Sequence, residues 1–201
     1  MIKFANNYLL FLFINYNLYD LIYMFIVGLI HWLHVFFLLL YPLFFKNYII
    51  DIIYLIDMIA TILGWFLFNG ECWVSYYFKK YQDKNYKIGD DVFEHSDMQL
   101  VIPIDKKYLS NIFIIIMIFN IILLNYVNMR SNILNVNIGY IISFIYIYYI
   151  SYIRKFYNIE LYNRLNIEYY TNYLNPLFSL ILFLVLLFLI KKLYKILYKK
   201  V

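Results

Sequence analysis

The chain has 201 residues, of which 65% are hydrophobic, 23% aromatic and only 14% charged. An average soluble domain has about 25% charged and 45–50% apolar residues, so this composition argues against a soluble domain and indicates a membrane protein. The net charge of +5 is concentrated at the C-terminal end, and the single cysteine, Cys72, excludes an intrachain disulfide. Nucleic-acid binding is not expected, because no globular segment presents the lysines.

Two long apolar segments near the N-terminus predict a helical hairpin. The first predicted span, 21–45, is uncharged, and the second, 48–68, follows a very short turn at Lys46-Asn47. About 20 residues at 1.5 Å per residue cross a hydrocarbon layer roughly 30 Å thick. A shorter apolar run at 8–14 lacks a following cleavage site. It predicts an interfacial helix or an extension of the first span rather than a removed signal peptide.

A polar loop of about 37 residues, 71–107, follows the hairpin and carries a dense mixture of both charge signs. We expect it to form a small extramembrane cap rather than a separate domain. Its second half, VFEHSDMQLVIPID at 92–105, predicts a short strand or an ordered loop.

Three further spans are predicted at 108–127, 138–153 and 176–190, followed by a basic tail at 191–201. The polar segment 154–175 is expected to lie along the membrane interface. The predicted fold class is therefore all-α, a polytopic transmembrane helical bundle of four to five spans in one integral membrane domain. Asparagines in the third span are expected to hydrogen-bond between helices. They are Asn111, Asn120 and Asn125.

The orientation of the chain is left open by its charges. With five spans, the loop 71–107 and the tail 191–201 lie on opposite sides, yet both are rich in lysine and the positive-inside rule favours the cytoplasm for each. Either one predicted span does not cross the membrane, in which case the short span 138–153 is the main candidate, or the loop is translocated despite its lysines. We favour a cytoplasmic C-terminus.

Four ionisable side chains within the hairpin are candidate functional groups, since such groups are costly inside a membrane. His31 and His34 lie on nearly the same helix face. Equal depth in the hairpin brings Asp57 within about one turn of His34. A His34–Asp57 hydrogen bond that locks the hairpin is the preferred interpretation. Asp51 lies near the membrane edge, within reach of water.

The alternative interpretation is functional: a metal site or a proton relay. It would use His31, His34 and a carboxylate, with further ligands from Glu71, Cys72 and His95. The sequence contains neither an HExxH motif nor a pair of CxxC motifs, so no metal and no cofactor are expected. No catalytic residue is assigned, because the chain also lacks a G-x-S-x-G motif and a Gly-rich phosphate loop.

Residues at the predicted membrane boundaries have expected structural roles. Gly70 is expected to end the second helix. Three tryptophans are predicted to be interface anchors or to pack within the protein: Trp32, Trp65 and Trp73. The predicted lipid head-group contacts are Lys191, Lys192, Lys195, Lys199 and Lys200.

The end of the second span carries the most distinctive residues of the chain. With His31 upstream, they are Trp65, Phe68-Asn69-Gly70-Glu71-Cys72, Ser75-Tyr76, Lys79-Lys80, Asn85-Tyr86-Lys87 and Gly89-Asp90. Over roughly residues 31–90 the chain resembles uncharacterised small polytopic membrane proteins of large DNA viruses of protists and algae. The resemblance implies a viral membrane protein in which Glu71 and Cys72 form a defined turn and Glu71 caps backbone amides of the loop. Abundant Tyr and Phe, with few Gly, also fit an AT-rich genome.

The function predicted first is that of a non-enzymatic structural or assembly component. Its partners would be the lipid bilayer of a host, viral or organellar membrane and other membrane proteins or copies of itself. One alternative is a membrane-embedded enzyme or redox or proton carrier that uses His31, His34, Asp57 and Glu71. The others are an oligomeric ion channel and a mitochondrially encoded subunit of a respiratory or ATP-synthase complex.

Overall fold

A computed structural model describes residues 17–92, 94–153 and 167–198. These residues form seven α-helices and contain no strand, which confirms the predicted fold class. The predictions for 8–14, for 154–166 and for Lys199 and Lys200 lie outside the described residues. In chain order the helices are α1 (Leu18–Phe44), α2 (Tyr48–Leu67), α3 (Trp73–Gln82), α4 (Ser96–Val101), α5 (Lys106–Ser131), α6 (Val136–Ile153) and α7 (Ile167–Tyr198).

The hairpin of α1 and α2 forms as predicted, and its turn is fixed by Asn47. The Asn47 side chain accepts hydrogen bonds from the backbone N–H groups of Ile49 and Ile50, at 3.0 and 3.2 Å. These bonds satisfy two of the N–H groups that have no partner at the start of a helix. α2 then becomes the central helix of the bundle, and Ile52, Leu55 and other residues along it are fully buried.

The long helices alternate in direction between two ends of the bundle. At the end that we call the turn end, defined by residues 45–47 and 132–135, Lys192 of α7 donates a 2.8 Å hydrogen bond to the carbonyl of Ile133. At the opposite end, the cap end, Tyr149 of α6 donates a 2.6 Å hydrogen bond to the carbonyl of Gly70. The polar loop and the end of α7 therefore lie at opposite ends of the bundle.

Four of the helices, α1, α2, α5 and α7, are long and apolar enough to cross a membrane. α6 is shorter, and its 18 residues span about 27 Å between the same two ends. Large apolar side chains on α7 face outward, such as Phe183, Leu187 and Phe188, which are 47%, 48% and 52% exposed. Such surfaces suit a hydrocarbon solvent and not water. The chain is a multi-pass helical membrane protein.

The cap, which comprises the described part of residues 71–105, differs from its prediction. Residues 96–101 form the helix α4, where a short strand or an ordered loop was predicted. An acidic residue, Asp97, lies in its first turn, where it is favoured by the helix dipole. Met98 is fully buried against α1 and α5. Packing on α1 therefore stabilises a helix that is too short to form alone.

α7 also differs from its prediction, since it is longer at both ends. It begins at Ile167 and continues through Lys195, so Pro176 lies inside the helix and not at its start. Membrane helices tolerate an internal proline because neighbouring groups satisfy the freed backbone carbonyl. The polar residues 167–175, predicted to lie along the interface, are thus the first turns of the same helix.

Candidate functional site

A cavity of about 400 Å³ lies beneath the cap, between α1, α2, α5 and α6. Its wall is mainly apolar, and its size is within the range of about 300–1,000 Å³ typical of small-molecule sites. Polar side chains from five parts of the chain nevertheless converge on it. They include His31, His34, Asp57, Cys72, His95 and Asn120.

His31 links the cavity to the cap. Its Nδ1 atom lies 2.6 Å from Oδ2 of Asp97, and its Nε2 atom lies 3.5 Å from Sγ of Cys72. His31 and Asp97 are buried, with 6% and 0% of their surface exposed, whereas Cys72 is only partly buried. The imidazole therefore stands between a buried carboxylate and a thiol at the cavity wall, which is the arrangement of a nucleophile, a base and an orienting acid.

Two further cap residues hold Asp97 in place. The hydroxyl of Ser75 donates a 3.0 Å hydrogen bond to Oδ1 of Asp97. Because that hydroxyl proton is directed at Asp97, His95 donates from Nδ1 to the oxygen of Ser75, over 3.2 Å. Both carboxylate oxygens of Asp97 thus accept hydrogen bonds, and the side chain cannot rotate freely.

Asp97 and His95 are both buried, but Asp97 keeps its charge and His95 is neutral. Burial alone would raise the pKa of Asp97, but the hydrogen bonds from His31 and Ser75 and the charge of His31 hold it below its ordinary value. Burial lowers the pKa of His95 to about 3, so this ring is neutral at physiological pH. The cap therefore presents an ionised carboxylate to His31 and a neutral imidazole to the cavity.

Cys72 occupies the position before the first turn of α3, where it is the N-cap residue. Its side chain makes no capping hydrogen bond with the helix backbone, which leaves the sulfur available to His31. The sulfur therefore lies at the start of α3 within reach of the His31 ring.

The cap docks on α1 at a glycine. Gly28 has no Cβ, and the backbone carbonyl of Asp97 fills the space that a Cβ would occupy. One turn further along α1, Nε1 of Trp32 donates a 3.0 Å hydrogen bond to the carbonyl of Met98. Trp32 is only 7% exposed and its indole packs against the cap, so of the two expected roles, interface anchoring and packing, the structure shows packing.

His34 and Asp57 form a second histidine–carboxylate pair in the same cavity. Nε2 of His34 lies 2.8 Å from Oδ2 of Asp57, so the hydrogen bond expected from the hairpin geometry is present. The side chains are 32% and 33% exposed, and both line the cavity. The pair therefore joins α1 to α2 and also presents polar atoms to the cavity.

Asn120 of α5 and Tyr146 of α6 are 4% and 0% exposed, and their side chains interact in the cavity wall. Within the described residues, neither Oδ1 of Asn120 nor the hydroxyl of Tyr146 makes a hydrogen bond of good geometry. Asn125 makes a hydrogen bond between the same two helices, since its side-chain nitrogen donates to Ser143 over 2.6 Å. Most buried polar atoms in proteins have well-formed hydrogen bonds, so these two atoms indicate a place for a polar group of a ligand or for water.

Glu71 stabilises the cap and does not line the cavity. Its Oε1 atom accepts hydrogen bonds from Nζ of Lys79 at 2.7 Å and from the hydroxyl of Tyr86 at 2.8 Å. Its Oε2 atom accepts a 3.2 Å bond from the backbone N–H of Gly89, which is the amide capping that the resemblance implied. Burial, and then the bond to Glu71, raise the pKa of Tyr86. Glu71 is thus a structural residue of the cap.

Asp51 is fully buried at the turn end, so the prediction that it reaches water is wrong. Arg130 at the end of α5 pairs with both of its carboxylate oxygens, and the hydroxyl of Ser131 also donates to it. Tyr41 of α1 donates a further hydrogen bond of 2.7 Å. Asp51 therefore joins three helices and lies away from the cavity.

The remaining predicted boundary residues have mixed environments. Gly70 has a φ of +90°, as expected for a glycine that ends a helix, and it lies in the cavity wall. Trp65 stacks on Tyr149 with ring centroids 4.7 Å apart, whereas Trp73 is 51% exposed. Lys191, Lys192 and Lys195 all lie on α7 near the turn end, and Lys192 also lies over the ring of Tyr48.

Within residues 17–92, 94–153 and 167–198, no group of three or more His, Cys, Asp or Glu side chains is placed to hold a metal ion.

The sequence did not identify Asp97 and Ser75 as residues of the site. The signal that could have indicated Asp97 is its position as an acid beside the apolar residues of DMQLV, where an unpaired charge would be costly.

Comparisons with protein-family models, curated proteins and solved structures found no match.

Proposed function

We propose that the protein is a membrane-embedded enzyme that transfers acyl groups through Cys72. His31 is the base that activates the sulfur, and Asp97 is the positioning residue that orients His31. The observation that supports this proposal is the hydrogen-bonded order Asp97–His31–Cys72, which ends at the wall of a cavity. This replaces the non-enzymatic component that the sequence predicted first.

The arrangement supports a two-stage reaction. The first stage starts from the ion-paired form, in which Nε2 of His31 holds the thiol proton of Cys72 and the sulfur attacks, as a thiolate, the carbonyl carbon of an ester or thioester. The acyl–sulfur bond forms, and the bond to the leaving oxygen or sulfur breaks as His31 gives the proton to the leaving group. Asp97 stabilises the imidazolium of His31, as the carboxylate does in Ser–His–Asp sites.

The cavity favours an amphiphilic substrate with an apolar acyl chain. It lies between membrane-spanning helices, and residues such as Val35, Leu38 and Phe113 line it. An apolar chain gains free energy from such a site in proportion to the area that it buries. Thiol–disulfide chemistry fits less well, because Cys72 is the only cysteine in the chain and a disulfide needs a second thiol.

A purely structural role predicts the same contacts but a different reactivity. If His31 and Asp97 only hold the cap, substituting them lowers stability without changing the chemistry of Cys72. If they activate the sulfur, conservative substitutions lower its rate of reaction in protein that is still folded. The rate at Cys72, measured beside the thermal unfolding midpoint, separates the two roles.

The test uses the full chain in lipid nanodiscs and two alkylating reagents, iodoacetamide and an N-dodecyl iodoacetamide. We expect alkylation of Cys72 at pH 7, followed by intact-protein mass spectrometry, to be faster with the dodecyl reagent. His31→Gln and Asp97→Asn should slow it by about 10²-fold, the lower range for loss of a general base. Asp90→Asn, at an exposed position of the cap, is the matched control and should leave the rate unchanged.

The acylation itself is tested with 4-nitrophenyl laurate. Wild-type protein should release nitrophenolate in a burst of one equivalent and carry a laurate adduct on Cys72, whereas Cys72→Ser should show neither. The proposal is overturned if His31→Gln reacts at the wild-type rate with both alkylating reagents. It is also overturned if the wild-type protein forms no adduct.

A further inference from the structure

The geometry points to a second reactive site in the cavity: we infer that His34 and Asp57 activate the hydroxyl group of an amphiphilic alcohol, which takes the acyl group from Cys72. The protein would then be an acyltransferase and not a hydrolase. This inference rests on the proposed function and specifies its acceptor.

The two histidine–carboxylate pairs lie on one face of one helix. His34 follows His31 by three residues on α1, a spacing that places side chains side by side, and both rings line the same cavity. Each ring has its own carboxylate, Asp97 from the cap and Asp57 from α2. Only the first pair contacts the sulfur, so the second pair is free to act on another molecule.

The environment of the second pair suits a polar ligand. An ionisable pair that is about one-third exposed is costly among apolar helices unless its exposed atoms face water or a polar group. The hydrogen bond to Asp57 uses Nε2 of His34, which leaves Nδ1 as the acceptor for a proton. Because both residues line the cavity, this nitrogen is the one that we assign as the base for a ligand there.

The side chains of Asn120 and Tyr146 supply the second observation. Both residues are more than nine-tenths buried, line the cavity and interact with each other, yet within the described residues neither Oδ1 of Asn120 nor the hydroxyl of Tyr146 makes a hydrogen bond of good geometry. An alcohol can donate one hydrogen bond and accept others, so a bound hydroxyl group can bridge the carboxamide oxygen and the phenol.

The transfer step balances without a further reagent. Nδ1 of His34 accepts the proton of the alcohol while its oxygen attacks the carbonyl carbon of the Cys72 thioester. The new carbon–oxygen bond forms, the carbon–sulfur bond breaks, and the electron pair stays on sulfur. The proton held by His34 then returns to the sulfur, so the products are an ester and the free thiol of Cys72.

The experiment uses laurate-loaded protein in lipid nanodiscs, with 1-dodecanol as the probe for the acceptor. Cys72 is first acylated with 4-nitrophenyl laurate, and excess reagent is removed. Loss of the adduct is followed by mass spectrometry, and dodecyl laurate and free laurate are separated by chromatography. We expect wild-type protein to give the ester in preference to the free acid.

The variants separate transfer from acylation. His34→Gln and Asp57→Asn should acylate Cys72 at the wild-type rate but transfer the acyl group to dodecanol at least tenfold more slowly. Tyr146→Phe should raise the KM for dodecanol more than it lowers kcat, which keeps the inference testable if the other variants do not fold. Asp90→Asn, at an exposed position of the cap outside the cavity wall, is the control, and transfer should stay within twofold of wild type.

The outcomes distinguish the two proposals. If Cys72 is acylated but His34→Gln transfers to dodecanol at the wild-type rate, the acceptor site is wrong and acylation at Cys72 stands. The same conclusion follows if wild-type protein releases only free laurate in the presence of dodecanol. If wild-type Cys72 is never acylated, the proposed function fails and the acceptor site fails with it.

Discussion

The backbone carbonyl of Asp97 lies so close to Gly28 that a Cβ at residue 28 would come within 2.0 Å of its oxygen. The obstacle to a side chain at residue 28 is the backbone of Asp97, which cannot rotate aside as a side chain could. The close approach brings α4 onto α1 and places the carboxylate of Asp97 beside His31, at 2.6 Å. A residue with no side chain thus sets the position of a residue of the proposed site.

Gly28→Ala should therefore displace α4 and break the contact between Asp97 and His31. We expect a loss of stability of about 1–3 kcal/mol, typical of overpacking, and slower alkylation of Cys72. Thermal unfolding and the rate of reaction with iodoacetamide measure the two effects. Gly64→Ala is the control, since its Cβ would lie at an ordinary 3.4 Å from Trp73. Equal behaviour of the two variants would contradict the prediction.

The ion pair of Asp51 and Arg130 should be the most sensitive contact at the turn end. Arg130→Met leaves the fully buried carboxylate of Asp51 without its cation, and such losses cost about 3–5 kcal/mol. The double variant with Asp51→Leu should recover part of this loss, because no charge is then left buried. Thermal unfolding checks both expectations.

A matched control for this pair lies in the cap. Lys106 and Asp91 form an ion pair whose side chains are 49% and 29% exposed. Solvent screens such a pair, so Lys106→Met should cost less than about 1 kcal/mol. A cost for Lys106→Met as large as that for Arg130→Met would show that burial does not decide the contribution of these pairs.

Acidification should destabilise the cap through His95. Its pKa is about 3 in the folded chain against 6.5 for an ordinary histidine, so the unfolded chain binds the proton first as pH falls. The stabilising contribution is complete above pH 6.5 and decreases from there toward pH 3. Between pH 7 and pH 5 the decrease should be on the order of 2 kcal/mol.

His95→Gln tests this pH dependence, since glutamine can still donate to Ser75 but does not titrate. The difference in unfolding midpoint between pH 7 and pH 5 should be smaller in this variant than in wild type. The depressed pKa of Asp97 acts in the same direction, but only at lower pH, as the unfolded carboxyl begins to bind protons near pH 4. An unchanged pH dependence in His95→Gln would contradict the assignment.

The cap and the turn end should be on opposite sides of the membrane. The described basic residues at the turn end outnumber its one acid, Asp51, whereas the cap carries both signs. The turn-end basic residues are Lys46, Arg130, Lys191, Lys192 and Lys195. We therefore expect the turn end to be cytoplasmic.

Labelling from one side of the membrane tests this orientation. In a Cys72→Ser background, Lys46→Cys and Lys87→Cys each place one thiol at an exposed position, the first at the turn end and the second in the cap. A membrane-impermeant maleimide added to intact cells should label the cap variant alone. Labelling of both variants from outside would show that the helices do not all cross.

The hairpin and its polar pair could be predicted from the sequence because they depend on local rules. A very short turn fixes the register of two helices, and the rise per residue then places Asp57 beside His34. The predicted bond is present at 2.8 Å. Apolar length also identified the four helices that are long enough to cross a membrane, while the fifth predicted span corresponds to the shorter α6.

The site around Cys72 could not be predicted, because it depends on how the cap folds back. Asp97 contacts His31 across 66 residues of sequence, and neither helical periodicity nor a short motif predicts a contact between residues so far apart. The same reason explains the error at Asp51, whose partner Arg130 lies 79 residues later. For Trp32 the sequence left interface anchoring and packing open, and the bond from its indole to the cap depends on the same fold of the cap onto α1.

His31, Cys72 and Asp97 leave the ribosome in that order, so the docking of the cap has a consequence for biogenesis. His31 and Cys72 are synthesised first, and Asp97 follows on a short helix that packs on α1 and α5. A nascent chain that ends before this helix carries the sulfur and the imidazole without the carboxylate that contacts the imidazole. If Cys72 reacts as proposed, full reactivity therefore requires a complete cap.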